Sequence, residues 1–107
     1  MCGIFGSFNK YQLADYDKKL NLVLKALHHR GPDDHGVEKF KVADKFLTLG
    51  HTRLSIIDLS SGGHQPIFSN DDRYSMVFNG EIYNYPELRE ELKAYDHIFH
   101  TDSDTEV

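Results

Sequence analysis

The chain has 107 residues and a mass of 12.3 kDa, with 39% hydrophobic, 27% charged and 12% aromatic residues. This is one small globular domain, which excludes two independent cores, collagen-like repeats and low-complexity disorder. A balance of 12 basic against 17 acidic residues, −5 with neutral histidines, disfavours a nucleic-acid partner, because phosphate contacts need clustered Lys and Arg.

A mean hydropathy of −0.53 without a long apolar run excludes a membrane-spanning helix, which needs ~20 consecutive apolar residues. There is one cysteine. No intrachain disulfide can form, which fits a reducing cytosol, and zinc sites built from several thiolates are excluded. The seven histidines show no i,i+4 pairing, so no metal site is expected. The start Met1-Cys2-Gly3-Ile4-Phe5-Gly6 has no basic region, and Ser7, Asn9 and Lys10 interrupt any apolar stretch. No secretory signal is read there, and a cytoplasmic location is expected.

In chain order, residues 3–8 predict a short strand rich in aromatic and β-branched types. A helix is expected from about Asp15 to His29, where Leu20, Val23, Leu24 and Leu27 form one apolar stripe. Asp15 and Asp17 at its start and His28, His29 and Arg30 at its end suit the helix dipole, and Gly31-Pro32 stop it. His35 to Asp58 is strand-like, and Ser60 to Pro66 reads as a loop. Ile67-Phe68 and Arg73 to Phe78 predict a hairpin around Ser69-Asn70-Asp71-Asp72. A second helix is expected from near Asn84. Asn84 and Glu87 have capping-box spacing, Pro86 lies in the first turn, and Leu88, Leu92 and Tyr95 make the buried stripe. Ile98 to Thr101 reads as another strand. Ser103-Asp104-Thr105-Glu106 has the S-x-x-E form of a helix start, yet only Val107 follows. One turn cannot persist alone, since ~12 residues are needed for marginal helix stability. The chain is therefore expected to be a fragment, cut where a third helix begins.

The chemistry centres on Cys2. Removal of Met1 would give one residue both a thiol and a free α-amine. The amine titrates at ~7.7–8.0, close to the thiol's ~8.5, so base and nucleophile share one residue without an imported histidine. Gly3 behind it permits close approach of substrate to the backbone. The bland alternative is an inert small side chain near a terminus.

Other segments change that balance. Met-Cys-Gly-Ile-Phe-Gly is followed by His29-Arg30-Gly31-Pro32-Asp33-Asp34-His35-Gly36 and Gly50-His51-Thr52-Arg53-Leu54-Ser55-Ile56-Ile57-Asp58. Gly63-His64-Gln65-Pro66, Phe78-Asn79-Gly80-Glu81-Ile82-Tyr83-Asn84 and Ser103-Asp104-Thr105-Glu106-Val107 complete the series. In that order they resemble the N-terminal glutaminase domain of class II glutamine amidotransferases, most of all the glutamine-hydrolysing asparagine synthetase family, from Met1 to Val107. The resemblance implies an α+β, Ntn-hydrolase fold, a four-layer αββα sandwich of antiparallel sheets. Residues 1–107 would be its N-terminal part, without the synthetase domain.

By the same resemblance Cys2 is the nucleophile, and Asn79 and Gly80 form the oxyanion hole. Arg53 holds the α-carboxylate of L-glutamine, Leu54, Ser55, Ile56 and Ile57 line the pocket, and Glu81 and Asp104 contact the α-ammonium end. Each has a plainer alternative: Asn-Gly is a strong hairpin-turn signal, Arg53 and Glu81 suit solvated strand charges, and Asp104 suits a helix's first turn. The segment from His28 to Asp34 is read as structural, and His64 and Gln65 as residues of a Gly-rich loop that could order the pocket, with no site role assigned. The implied reaction, hydrolysis of glutamine to glutamate and ammonia, needs no cofactor. ATP and Mg²⁺ belong to the implied C-terminal synthetase domain, which amidates aspartate. That domain is the implied partner, with homodimerisation left open. The alternatives are a non-catalytic interaction or regulatory module and the glutaminase of a sugar-modifying amidotransferase.

Overall fold

In Gly3–Asn9 (β1) and Lys45–Arg53 (β3), small residues alternate with bulky ones. The computed structural model, which describes residues 1–11, 14–56 and 58–107, pairs these two strands antiparallel, and Asp34–Val42 (β2) pairs on the other edge of β3. The sheet order is β1-β3-β2, so β3 is central and hydrogen-bonded on both sides. A second, two-stranded antiparallel sheet joins Ile67–Phe68 (β4) to Ser75–Met76 (β5). Among the described residues the α-helices are Tyr16–Leu27 (α1) and Tyr85–Lys93 (α2). The chain is thus α+β with antiparallel sheets.

The strand-like stretch from His35 to Asp58 is corrected. It is two strands joined by a tight turn at Ala43-Asp44, and residues beyond Arg53 leave the sheet. The turn carries no Asn-Gly signal; Ala43 nevertheless takes the left-handed conformation, with φ 55°.

α1 lies on one face of the three-stranded sheet. The Thr52 hydroxyl donates to the Leu27 carbonyl at 3.2 Å, the Ser7 and Tyr16 hydroxyls meet at 2.6 Å, and Lys39 pairs with Asp17. Gly3 permits this approach: a Cβ there would sit 2.6 Å from Thr52 Oγ1 and 3.1 Å from Leu27 Cβ. On the opposite face, Phe40 of β2 meets Phe68 of β4 with ring centroids 6.1 Å apart. Helix, sheet and hairpin are therefore stacked in that order.

α2 begins as expected, but Asn84 makes no side-chain cap bond and Tyr95 is exposed; only Leu88 and Leu92 are half-buried. The helix is fastened by Arg89 instead. Its guanidinium donates to the Thr101 and Ser103 carbonyls at 2.8 and 3.0 Å and stacks on Phe99. Ile98 to Thr101 forms no strand, a second correction. Its backbone is satisfied by the Glu106 carboxylate, which accepts from the N–H groups of His100 and Thr101 at 2.7 and 2.8 Å. Glu106 is thereby diverted from the capping box, while Ser103 still caps the short 3₁₀ turn Asp104–Glu106 through the Thr105 N–H.

Among the described residues the buried side chains are those of Pro66 and of the polar Thr48, His51, Thr52, Arg53, Gln65, Ser103, Asp104 and Thr105. The accessible surface, 7382 Å², exceeds the ~6,100 Å² of a compact monomer of this mass. Ile4 and Phe8, on the sheet face away from α1, stay exposed. Packing is tightest around polar groups at one end of β3.

Because Ala43 bears a left-handed φ that an L side chain resists, Ala43→Gly is expected to raise stability by about 0.5–1 kcal/mol. Thermal unfolding of the two proteins side by side checks this.

Candidate active site

The C-terminal end of β3 leaves the sheet beside the start of β1, since Gly3 pairs with Thr52. Cys2 therefore lies next to Leu54: the Leu54 N–H points at Cys2 Sγ at 3.3 Å, and Sγ lies 3.7 Å from the Leu54 carbonyl oxygen. Arg30, just after α1, donates from Nε to the Cys2 carbonyl at 3.0 Å. Asp33 accepts the Ser55 N–H at 2.8 Å. The segment read as structural thus anchors both the cysteine and the strand exit facing it.

Cys2 opens onto a cleft of about 250 Å³ that also holds Arg53, Leu54, Ile56, Asn79, Gly80, Glu81 and Asp104. That is somewhat below the ~300–1,000 Å³ of drug-sized ligand pockets, a scale suited to a single amino acid. Ser55 donates its backbone N–H to Asp33 and is not among the cleft-lining residues. Ile57 lies outside the described residues.

Arg53 is 8% exposed, so it is not a solvated strand-edge charge. Its guanidinium donates to the Ser60 carbonyl at 2.6 Å and to the Asp58 carbonyl, and Gly63 makes room for it, since a Cβ there would overlap the fork. Those carbonyls engage part of a five-donor group. Among the described residues no carboxylate lies within 4.0 Å of it. The Asp58 carboxyl acts on this cation from beyond direct contact, and a planar fork in a cleft matches a carboxylate. Asp58 itself accepts the Ser60 N–H at 2.7 Å, and hydrogen bonds from the Ser60 hydroxyl and N–H hold its carboxyl below the ordinary value.

Asp104 is 7% exposed and places one oxygen on the Ile82 N–H at 2.8 Å, leaving the other available to a cation. Glu81 stays exposed at the rim. Asn79 and Gly80 lie in irregular chain beyond β5 and line the cleft. The cleft thus brings a thiol, a side-chain amide and a backbone amide together with a buried cation and a carboxylate. That pattern suits a zwitterion bearing an electrophilic carbonyl. No group of three or more His, Cys, Asp and Glu side chains placed to hold a metal occurs among the described residues.

Two further buried residues belong to the site: sequence reasoning placed Gln65 only in a loop ordering the pocket and gave His51 no role. Gln65, 6% exposed, joins the arm that precedes Asn79 to the one that follows Asp104. His51, 1% exposed, lines the cleft beside the Phe78 backbone, and among the described residues neither ring nitrogen has a partner of good hydrogen-bond geometry. Its place in the Gly-His-Thr-Arg run, two residues from Arg53 and so on the same strand face, was the available signal.

Burial pushes the His51 pKa below its ordinary 6.5; the Phe78 backbone and Asp34 oppose this, and Arg53 and His64 reinforce it. The unfolded chain therefore takes up the proton first as pH falls. The stability tied to neutral His51 is complete above about pH 6.5 and is lost below it. Denaturant midpoints measured between about pH 7.5 and 5.5 are expected to fall in the native chain. His51→Leu is expected to lessen that slope by up to ~1.4 kcal/mol per pH unit.

Residues 1–107 match the glutamine amidotransferase domain model. The chain is similar to asparagine synthetase [glutamine-hydrolyzing] 1 of Bacillus subtilis, 48% identical over 110 residues that cover 100% of the chain and 17% of that protein. It is 42% identical over 106 residues to asparagine synthetase [glutamine-hydrolyzing] 1 of Saccharomyces cerevisiae, covering 99% of the chain and 17% of the relative. It is 38% identical over 108 residues to asparagine synthetase B of Escherichia coli, covering 100% and 18%. The chain therefore spans about a sixth of the length of these curated relatives. Matched along its whole length, the chain belongs to the glutamine amidotransferase domain family.

Proposed function

We propose that these residues carry the glutaminase site of a glutamine-hydrolysing asparagine synthetase, releasing ammonia for the amidation of aspartate. The observation that carries the reading is the convergence of Cys2, Arg53, Asn79, Gly80 and Asp104 on one cleft, although the first and last are separated by nearly the whole chain. The finer fold is part of the proposal: an Ntn-hydrolase αββα sandwich, supported by the stacking of α1, the three-stranded sheet and the hairpin. The names and lengths of the relatives support a synthetase domain as partner, where ATP and Mg²⁺ would act, outside these residues. A cytoplasmic setting fits the lone thiol.

Catalysis begins once Met1 is removed. The α-amine of Cys2 accepts the thiol proton, and the thiolate attacks the side-chain carbonyl carbon of glutamine. The oxyanion is held by the Asn79 amide and the Gly80 N–H, donors worth ~10²–10³ in rate each when preorganised. Arg53 orients the α-carboxylate, and Asp104 with Glu81 the α-ammonium. Leu54, Ser55, Ile56 and Ile57 flank the substrate along the strand exit. The C–N bond breaks as the ammonium form of Cys2 returns its proton to departing ammonia, leaving a γ-glutamyl thioester. Water, deprotonated by the same amine, attacks that thioester. Glutamate leaves, and the sulfur recovers its proton.

A second reading, a non-catalytic interaction module, draws on the exposed Ile4 and Phe8. The two separate at the N-terminus. Intact mass of the full-length protein is expected to show loss of Met1, and a glutamine-like electrophile to add once, at Cys2. Cys2→Ala should abolish the adduct, and Asn79→Ala should lower kcat by ~10²–10³-fold. Retention of Met1 with no adduct would favour the interaction module.

A further inference from the structure

Beyond Met76 the chain leaves the hairpin, and Asn79, Gly80 and Glu81 have no strand beside them. Two side chains hold this arm at its ends. Asp104 accepts the Ile82 N–H at 2.8 Å, and the Gln65 side-chain oxygen accepts the Phe78 N–H at 2.6 Å. The Gln65 amide nitrogen reaches the other way, to the Thr105 hydroxyl at 3.5 Å. One buried amide therefore ties the residue before Asn79 to the residue after Asp104. Its own backbone is wedged on the sheet, since a Cβ at Gly36 would overlap the Gln65 carbonyl oxygen. A primary amide suits this place because it accepts on one side and donates on the other; a carboxylate or a thioether offers at most half of that.

Resting on the glutaminase reading, we infer that Gln65 is a positioning and specificity-determining residue. It sets the distance between the oxyanion donors at Asn79-Gly80 and the ammonium-binding carboxylate of Asp104, and so the length of amide the site accepts. A protein that makes asparagine must spare it in its own glutaminase site. Glutamine and asparagine differ by one methylene between the α-carbon and the amide. A pocket alone discriminates one methylene by ~10–200-fold, and a misplacement of ~1 Å costs ~10²-fold in rate, so a fixed span is the available means of selection.

The experiment compares hydrolysis of glutamine and asparagine by the full-length protein and its variants. Gln65→Met, of similar length without the polar atoms, is expected to lower kcat for glutamine by ~10²-fold while KM moves less. The ratio of kcat/KM for glutamine to that for asparagine is expected to fall about tenfold or more. Thr105→Val removes only the outer bond and is expected to lower the same ratio, whereas Thr105→Ser, which keeps the hydroxyl, recovers it. A purely structural role would lower activity toward both amides in parallel and leave the ratio unchanged. Glutamine hydrolysis by the unmodified protein, with an unchanged ratio in both Gln65→Met and Thr105→Val, overturns the clamp and leaves the glutaminase reading standing. Absence of glutamine hydrolysis by the unmodified protein overturns both.

Discussion

The burial of Arg53 at the end of the central strand governs the rest of the site. A guanidinium that is 8% exposed must be surrounded by acceptors, and the backbone carbonyls of Asp58 and Ser60 supply them by folding the chain back over β3. That return fixes the loop carrying Gly63, His64 and Gln65 against β2, where Gly36 leaves room for the Gln65 carbonyl. Gln65 in turn reaches the arms that carry Asn79 and Asp104. One buried cation thus organises the cleft that it lines.

This explains an interior in which polar residues are the most buried ones. An apolar side chain gains free energy from burial in almost any orientation, whereas a buried polar group requires a partner in one direction. The His51–Arg53 end of β3, Gln65 and residues 103–105 satisfy that requirement largely through side chain to backbone bonds: Arg53 to carbonyls, Asp104 and Gln65 to N–H groups, and Ser103 to the Thr105 N–H. His51 is the exception: neither ring nitrogen has a well-formed partner among the described residues, and burial lowers its pKa against the opposing effect of the Phe78 backbone. The apolar faces of the sheets are less demanding, and Ile4 and Phe8 remain open to solvent.

The cysteine is held with similar economy. Two distant segments meet it, Arg30 at its carbonyl and Leu54 at its sulfur, while Asp33, from the same run as Arg30, accepts the N–H of Ser55 in the strand exit. The Arg30-Gly31-Pro32-Asp33 run, which has no evident catalytic chemistry, is thereby a bracket between the end of α1 and the mouth of the cleft. Serving two neighbours at once, Arg30 and Asp33 explain why charged residues follow a helix stop there.

Local periodicity and turn chemistry made β1, α1, the β4–β5 hairpin and the start of α2 legible, because their signals lie within a few residues of one another. Cys2, Arg53, Asn79-Gly80 and Asp104 stood out by residue type and by their ordered motifs. The division of residues 34–53 into two strands was hidden, since Ala43 adopts a left-handed turn that its side chain does not advertise. Ile98 to Thr101 has strand-like composition, yet the Glu106 carboxylate takes the N–H groups a strand would have shared. Nor could sequence order disclose that Gln65 spans two arms or that His51 lies buried beside the cleft. Such roles depend on directional hydrogen bonds between residues far apart in the chain, and only the folded backbone sets those directions.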